Sequence, residues 1–171
     1  MELSNDEKQL LSNGIVEIAM AFIKTKKIDC IFIEESNLGK EKKKNASIIL
    51  TIIYNELLSL DEKNNINQLV KEFRVKHNIN VEFRYYDTYD LGFFDLYHNQ
   101  VSPSYRYKAN CRPYCLKNRL YDRTGKYQQL QDVYFNNCLG RKRKDKVVGV
   151  LPIGDIKKLL RTKSEAPNRV A

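Results

Sequence analysis

Apolar residues recur at helical spacing near the start of the chain, at Leu10, Leu11, Ile15, Ile18, Ala19, Phe22 and Ile23. Ser4 and Glu7 just before them have the spacing of a capping box, so a helix is expected from about Ser4 to Lys24. Its apolar stripe needs a partner surface, and docking on a sheet is the expected arrangement. Ile28-Asp29-Cys30-Ile31-Phe32-Ile33 is short, β-rich and apolar on both faces, the pattern of a central, parallel strand ending at Glu34-Glu35. A loop follows from Ser36 to Lys44. Ile48, Ile49, Ile52, Ile53 and Leu57 then fit a second helix over Asn45 to Leu60.

After a polar turn, Asp61 to Asn65, the residues Ile66, Leu69, Val70 and Phe73 mark a third helix ending near His77 and closed by Asn78. Ile79 to Asp87 alternates as a strand with Ile79, Val81, Phe83 and Tyr85 on one face. Strand, two helices, strand forms a crossover unit, which makes its two strands parallel. Further on, Leu91 to Tyr97 has strand character and Ser102-Pro103-Ser104 is a turn. Tyr105 to Ala109 and Lys126 to Phe135 fit strands or short helices. Val147 to Leu151 reads as a strand and Gly154-Asp155 opens a short helix. The expected class is α/β, with α+β as the variant: an N-terminal helix, the crossover unit, then a Tyr/Arg-rich, β-leaning C-terminal half.

At 171 residues the chain fits a single domain, 1–171. Charge divides it. Residues 1–98 hold 13 Lys/Arg and 16 Asp/Glu, net −3, an acidic scaffold; residues 99–171 hold 17 and 5, net +12. The basic part spans 99–161, and low apolar content makes 162–171 a flexible tail. Ten of the eleven tyrosines and three of the four cysteines lie between Phe83 and Lys146. No apolar stretch is long enough to span a bilayer, and because the start is acidic no signal peptide is expected. An intracellular protein with reduced thiols is expected, in the cytoplasm, or in the nucleus if the host is eukaryotic or viral.

Arginine interleaved with tyrosine offers charge for phosphates and ring faces for bases, so the leading expectation is a nucleic-acid-binding protein, for RNA or DNA. Arg106, Arg112, Arg119, Arg123 and the run Arg141-Lys142-Arg143-Lys144 would contact phosphates, with Tyr105, Tyr107 and Tyr114 as stacking platforms. The basic run also has the form of a nuclear import signal or of a charged turn after Gly140. Lys40, Lys42, Lys43 and Lys44 fill a loop leading into the expected second helix, where backbone N–H groups favour anions. That loop lacks the second glycine and Lys-Ser/Thr pair of a phosphate-binding Walker loop. An interaction module for an acidic protein needs the charge alone.

An enzyme is the alternative class. If the strands ending at Glu34-Glu35 and at Asp87 are parallel, both open on one sheet edge, where Glu34 or Glu35 with Asp87 and Asp90 would form a carboxylate cluster for Mg²⁺, with Asp95 nearby. Acidic residues also end strands simply because loops are solvated. The segment Ile28 to Leu57, an apolar strand ending in Glu34 and a polar loop leading to Asn45-Ala46, resembles one strand–loop–helix unit of the RuvC-type, RNase H-like nucleases. The resemblance implies metal-dependent nuclease or phosphotransfer chemistry with Glu34 as the catalytic glutamate. It does not extend to that family's aspartate-bearing opening strand. Cys111 and Cys115 have zinc-ligand spacing, with Cys138 and His98 as possible partners, but buried thiols are the simpler reading and zinc is disfavoured. No cofactor is required by the sequence; Mg²⁺ follows only if the chain is an enzyme.

Overall fold

The computed structural model describes residues 3–36, 46–87, 94–95, 100–101, 118–125, 127–128 and 151–165. Helix α1 spans Asn5–Lys24, strand β1 Ile28–Ser36, β2 Ser47–Tyr54, helix α2 Leu60–His77 and β3 Asn80–Asp87. The two-residue strands β4 (Phe94–Asp95) and β5 (Gln100–Val101) pair with each other. Strand β6 covers Asn118–Asp122, and helix α3 covers Ile153–Glu165. The class is α/β: among the described residues, three helices accompany a four-stranded mixed sheet of order β3-β2-β1-β6.

α1 begins at the expected capping box, whereas α2 begins at Leu60, so that Asp61 to Asn65, expected as a polar turn, form its first turns behind a capping box the sequence reading passed over. The Ser4 hydroxyl accepts from the Glu7 amide while Glu7 reaches back to the Ser4 amide, and Ser59 and Glu62 repeat this at α2. Such a cap contributes about 1 kcal/mol. At α2 the same Glu62 carboxylate accepts from Lys27 Nζ at 2.6 Å, tying the helix start to the turn before β1. That hydrogen bond holds the Lys27 ammonium above, and the Glu62 carboxyl below, its ordinary pKa. Asn78 closes α2 in the left-handed conformation (φ 55°), which asparagine tolerates better than most residues.

The segment expected as the second helix is β2. Its residues Ser47 to Ile53 are all buried, so they cover both sheet faces rather than one helical stripe. Ile48, Leu50 and Ile52 join the core cluster with Ile15, Ile18, Ala19 and Phe22 of α1. Ile49, Thr51 and Ile53 point to the opposite face and are buried as well. A run apolar at every position satisfies helical and strand periodicities together. Its four isoleucines and one threonine were the β-branched signal that separates the two.

This changes the topology. β1 pairs antiparallel with β2, and the parallel crossover is β2–α2–β3, with one helix inside it. β1 is therefore antiparallel to β3, against the expectation, while β6 closes the other side antiparallel to β1. The alternation expected in β3 is present: Phe22 packs edge-on against Phe83 with ring centroids 5.0 Å apart, and Tyr85 lies 6.3 Å away. α3 begins where expected but continues through Thr162–Glu165, which the sequence assigned to a tail. There the Thr162 hydroxyl bonds back to the Lys158 carbonyl at 3.0 Å. The expected strand over Val147 to Leu151 lies, apart from Leu151, outside the described residues, as do the segments Tyr105 to Ala109 and most of Lys126 to Phe135.

α1 and α2 meet at Gly14, Phe73 and His77. A Cβ on Gly14 would stand 2.7 Å from Phe73 Cδ2 and 3.5 Å from His77 Nε2. The Phe73 ring is buried and packed at a tilt against His77, with ring centroids 4.5 Å apart, so it has little room to yield. Gly14→Ala is thus expected to destabilise by about 1–3 kcal/mol in urea unfolding, although alanine is the better helix former. Gly14→Ala combined with Phe73→Leu should recover part of that loss.

Burial and the adjacent Lys76 charge hold the His77 imidazole below its ordinary pKa. The unfolded chain therefore binds this proton more readily than the folded one. The contribution to stability is complete above pH about 6.5 and is lost as pH falls through the lower folded value. His77→Gln should flatten the pH dependence of the melting temperature in that window; an unchanged profile would refute this assignment.

Candidate nucleic-acid interface

The carboxylates expected at one sheet edge are separated by the strand directions. Glu34 pairs in register with Ile49, which pairs with Glu82; Asp87 pairs with Tyr54, which pairs with Ile28. Glu34 and Asp87 thus sit five register steps apart, about 17 Å along the strands. The structure does not bring these two together, and Asp90 lies outside the described residues. Glu34 faces Arg84 of β3, with Nη1 at 3.4 Å. Glu35 accepts from the Leu151 amide at 2.9 Å, fixing the chain just before α3. Asp95 is in β4. The strand–loop–helix unit that carried the resemblance to RuvC-type nucleases also gives way, because a strand follows the loop. Among the described residues no group of three or more His, Cys, Asp or Glu could hold a metal ion.

The described basic residues converge elsewhere. The C-terminal end of α1, Asn55 after β2, strand β6 with its following turn, and α3 enclose an open cleft of about 1480 Å³. Lys24 reaches it from the end of α1 and Lys26 from the turn after it, Arg119 from β6 and Arg123 from the turn after it, and Lys157, Arg161 and Lys163 from α3. Against these seven cations the described part of the wall carries two carboxylates, Glu17 and Asp122. The spacing on α3 is helical: residues 157 and 161 lie one turn apart and share a face, while Ile156 and Leu160 turn into the core. The polar-apolar division of α3 therefore produces the basic wall directly.

The cations press on one another. Partial burial, then the charges of Arg119 and Arg161, push the Lys157 ammonium below its ordinary pKa. Arg119 has a carboxylate partner, Asp122, with Nε to Oδ2 at 3.8 Å. That carboxylate also accepts from the Gln128 amide at 3.0 Å, while its other oxygen is buried with no hydrogen-bond partner among the described residues. Tyr121, between the two arginines in sequence, is half-buried, and burial raises its hydroxyl above the ordinary value.

Arg123 is held most firmly. Its Nε donates to Asp29 Oδ1 at 2.9 Å, and its Nη2 stands 2.9 Å from the same oxygen. Asn55 Nδ2 donates to that oxygen at 2.8 Å, and the Arg123 amide bonds the Asp29 carbonyl at 2.9 Å. The Asp29 side chain is 11% exposed and that of Arg123 50% exposed. The pair thus lies between exposed pairs, worth about 0–1 kcal/mol, and buried ones, where losing one partner costs about 3–5 kcal/mol. Neighbouring Cys30 is fully buried, and burial holds its thiol well above the ordinary value, so it is no nucleophile.

Of the residues expected to bind nucleic acid, Arg119 and Arg123 are brought together in this cleft. Lys40, Lys42, Lys43, Lys44, Tyr105, Arg106, Tyr107, Arg112, Tyr114, Arg141, Lys142, Arg143 and Lys144 lie outside the described residues, as do His98, Cys111, Cys115 and Cys138. Sequence reasoning missed Lys24, Lys26, Lys157, Arg161 and Lys163. The i, i+4 cations on the polar face of the C-terminal helix were a usable signal; the contribution of the α1 end was not.

No helix among the described residues is long and apolar enough to cross a membrane. Comparison with family models, curated proteins and solved structures gave no match. Because Lys157 is crowded by cations and partly desolvated, Lys157→Met is expected to raise the melting temperature of the free protein at low ionic strength. The gain should shrink as added salt screens the cleft. A lower melting temperature for Lys157→Met at low salt would contradict the repulsion.

Proposed function

We propose that the chain binds nucleic acid, RNA or DNA, with the phosphate backbone lying in the basic cleft between α1, β6 and α3. The observation that carries this reading is the seven-to-two excess of cations over carboxylates among the described residues lining one concavity. Like charges gathered on elements distant in sequence disfavour the free state, and a polyanion entering the cleft relieves that repulsion while releasing condensed counterions. Arginine supplies forked donors suited to phosphate, and lysine supplies mobile point charges. Tyr121 is the aromatic residue on the described wall, so phosphate contact carries more of this site than base stacking does.

The test is fluorescence anisotropy of the full chain with labelled single-stranded RNA, single-stranded DNA and duplex DNA over a salt series. With about three phosphates engaged, affinity is expected to fall tenfold or more between about 50 and 200 mM salt. Exchanging both Lys157 and Arg161 for glutamine should weaken binding and reduce the salt slope by about 2. Failure to bind any of these at low salt overturns the reading and leaves an acidic protein surface as the partner that the charge would fit.

A further inference from the structure

We propose that Asp29 is a positioning residue that presents Arg123 to the cleft as a fixed phosphate-binding fork, so that the Asp29–Arg123–Asn55 cluster forms the anchoring subsite for a single phosphodiester group. The inference rests on the nucleic-acid reading of the cleft and assigns its most ordered contact. Arg123 differs from Lys157 and Arg161 in being held from behind, and its contacts to Asp29 at 2.9 Å are shorter than the 3.8 Å between Arg119 and Asp122. Both donors on one edge of its guanidinium, Nε and Nη2, converge on Asp29 Oδ1. The Nη1 donors have no partner among the described residues, and the side chain lines the cleft with half its surface exposed.

The anchor itself is braced. Asp29 is the second residue of β1, its carbonyl accepts from the Arg123 amide, and Asn55, just past β2, donates to the same carboxylate oxygen. Asn55 is fixed in turn by its amide bond to the Lys27 carbonyl at 2.8 Å. Three segments of the sheet therefore set the direction of one guanidinium. An arginine whose rotamer is fixed before binding loses less entropy on meeting a phosphate, and its planar fork keeps its geometry. Lys157 and Arg161, which have no carboxylate partner among the described residues, supply the surrounding field; Arg123 supplies the register.

This role makes a prediction opposite in sign to simple electrostatics. Asp29→Asn removes a negative charge beside a polyanion site, so charge alone predicts tighter binding. Loss of positioning predicts weaker binding instead. Anisotropy should be measured with the tightest-binding oligonucleotide of the salt series, on full-length wild type, Asp29→Asn, Arg123→Lys and the double variant. Asp29→Asn and Arg123→Lys are each expected to weaken binding about tenfold, and the double variant no more than either alone, because both changes remove the same contact. Arg123→Lys keeps the charge and sits half in solvent, so it carries the test if circular dichroism shows that Asp29→Asn has lost its fold. Wild-type binding with Arg123→Lys unchanged, or with folded Asp29→Asn as tight as wild type or tighter, overturns the positioning role and leaves the cleft reading intact. Absence of wild-type binding overturns both.

Discussion

The burial of β2 on both faces is the constraint on which the rest of the structure depends. An eight-residue strand with seven consecutive buried residues cannot lie at a sheet edge or on a surface. It must be paired on both sides and covered, and it takes β1 antiparallel on one side and β3 parallel on the other. Ile48, Leu50 and Ile52 then dictate where α1 docks, through Ile15, Ile18 and Phe22. The Gly14–Phe73 contact lets α2 come close beside it. Burial of this kind contributes about 25 cal/mol for each Å² of apolar surface removed from water, which outweighs any local preference of the segment for helix.

Antiparallel pairing of β1 with β2 has a functional consequence. It turns Glu34 and Glu35 toward one end of the sheet and Asp29 toward the other, beside Asn55, Arg123 and the end of α1. The acidic side chains that end β1 are taken up by structure: Glu34 by Arg84 of β3, Glu35 by the backbone leading into α3. The carboxylate near its start instead backs an arginine. One strand direction thus decides whether the sheet presents an acidic edge or a basic one, and the described residues present a basic one.

The basic cleft follows from the same packing. α3 presses Ile156 and Leu160 into the core, which leaves Lys157 and Arg161 on the cleft side. β6 brings Arg119 and Arg123 alongside them, and the end of α1 adds Lys24 and Lys26, where a helix C-terminus favours cations. The repulsion this creates is visible at Lys157, whose ammonium is disfavoured by burial and by its two arginine neighbours. The fold tolerates that cost because the hydrophobic side of the same helix is held by the core.

Local signals determined what depends on nearest neighbours. Ser4 with Glu7 set the start of α1, Asn78 closed α2, alternation marked β3, and the charge asymmetry marked the basic part of the chain that supplies Arg119 and Arg123 to the cleft. Two things were not legible. The run Ile48 to Ile53 is apolar at every position, so its periodicity does not choose between strand and helix; only pairing with β1 and β3 does. The membership of the cleft was equally hidden, because Lys26, Arg123 and Lys157 are distant in sequence and meet only once the sheet order is fixed. The sequence by itself determined the start of α1, the end of α2, the α/β class and the excess of positive charge in the C-terminal part. Strand direction, the separation of Glu34 from Asp87 and the seating of Arg123 on Asp29 were decided by tertiary structure, because each depends on which buried strand lies beside which.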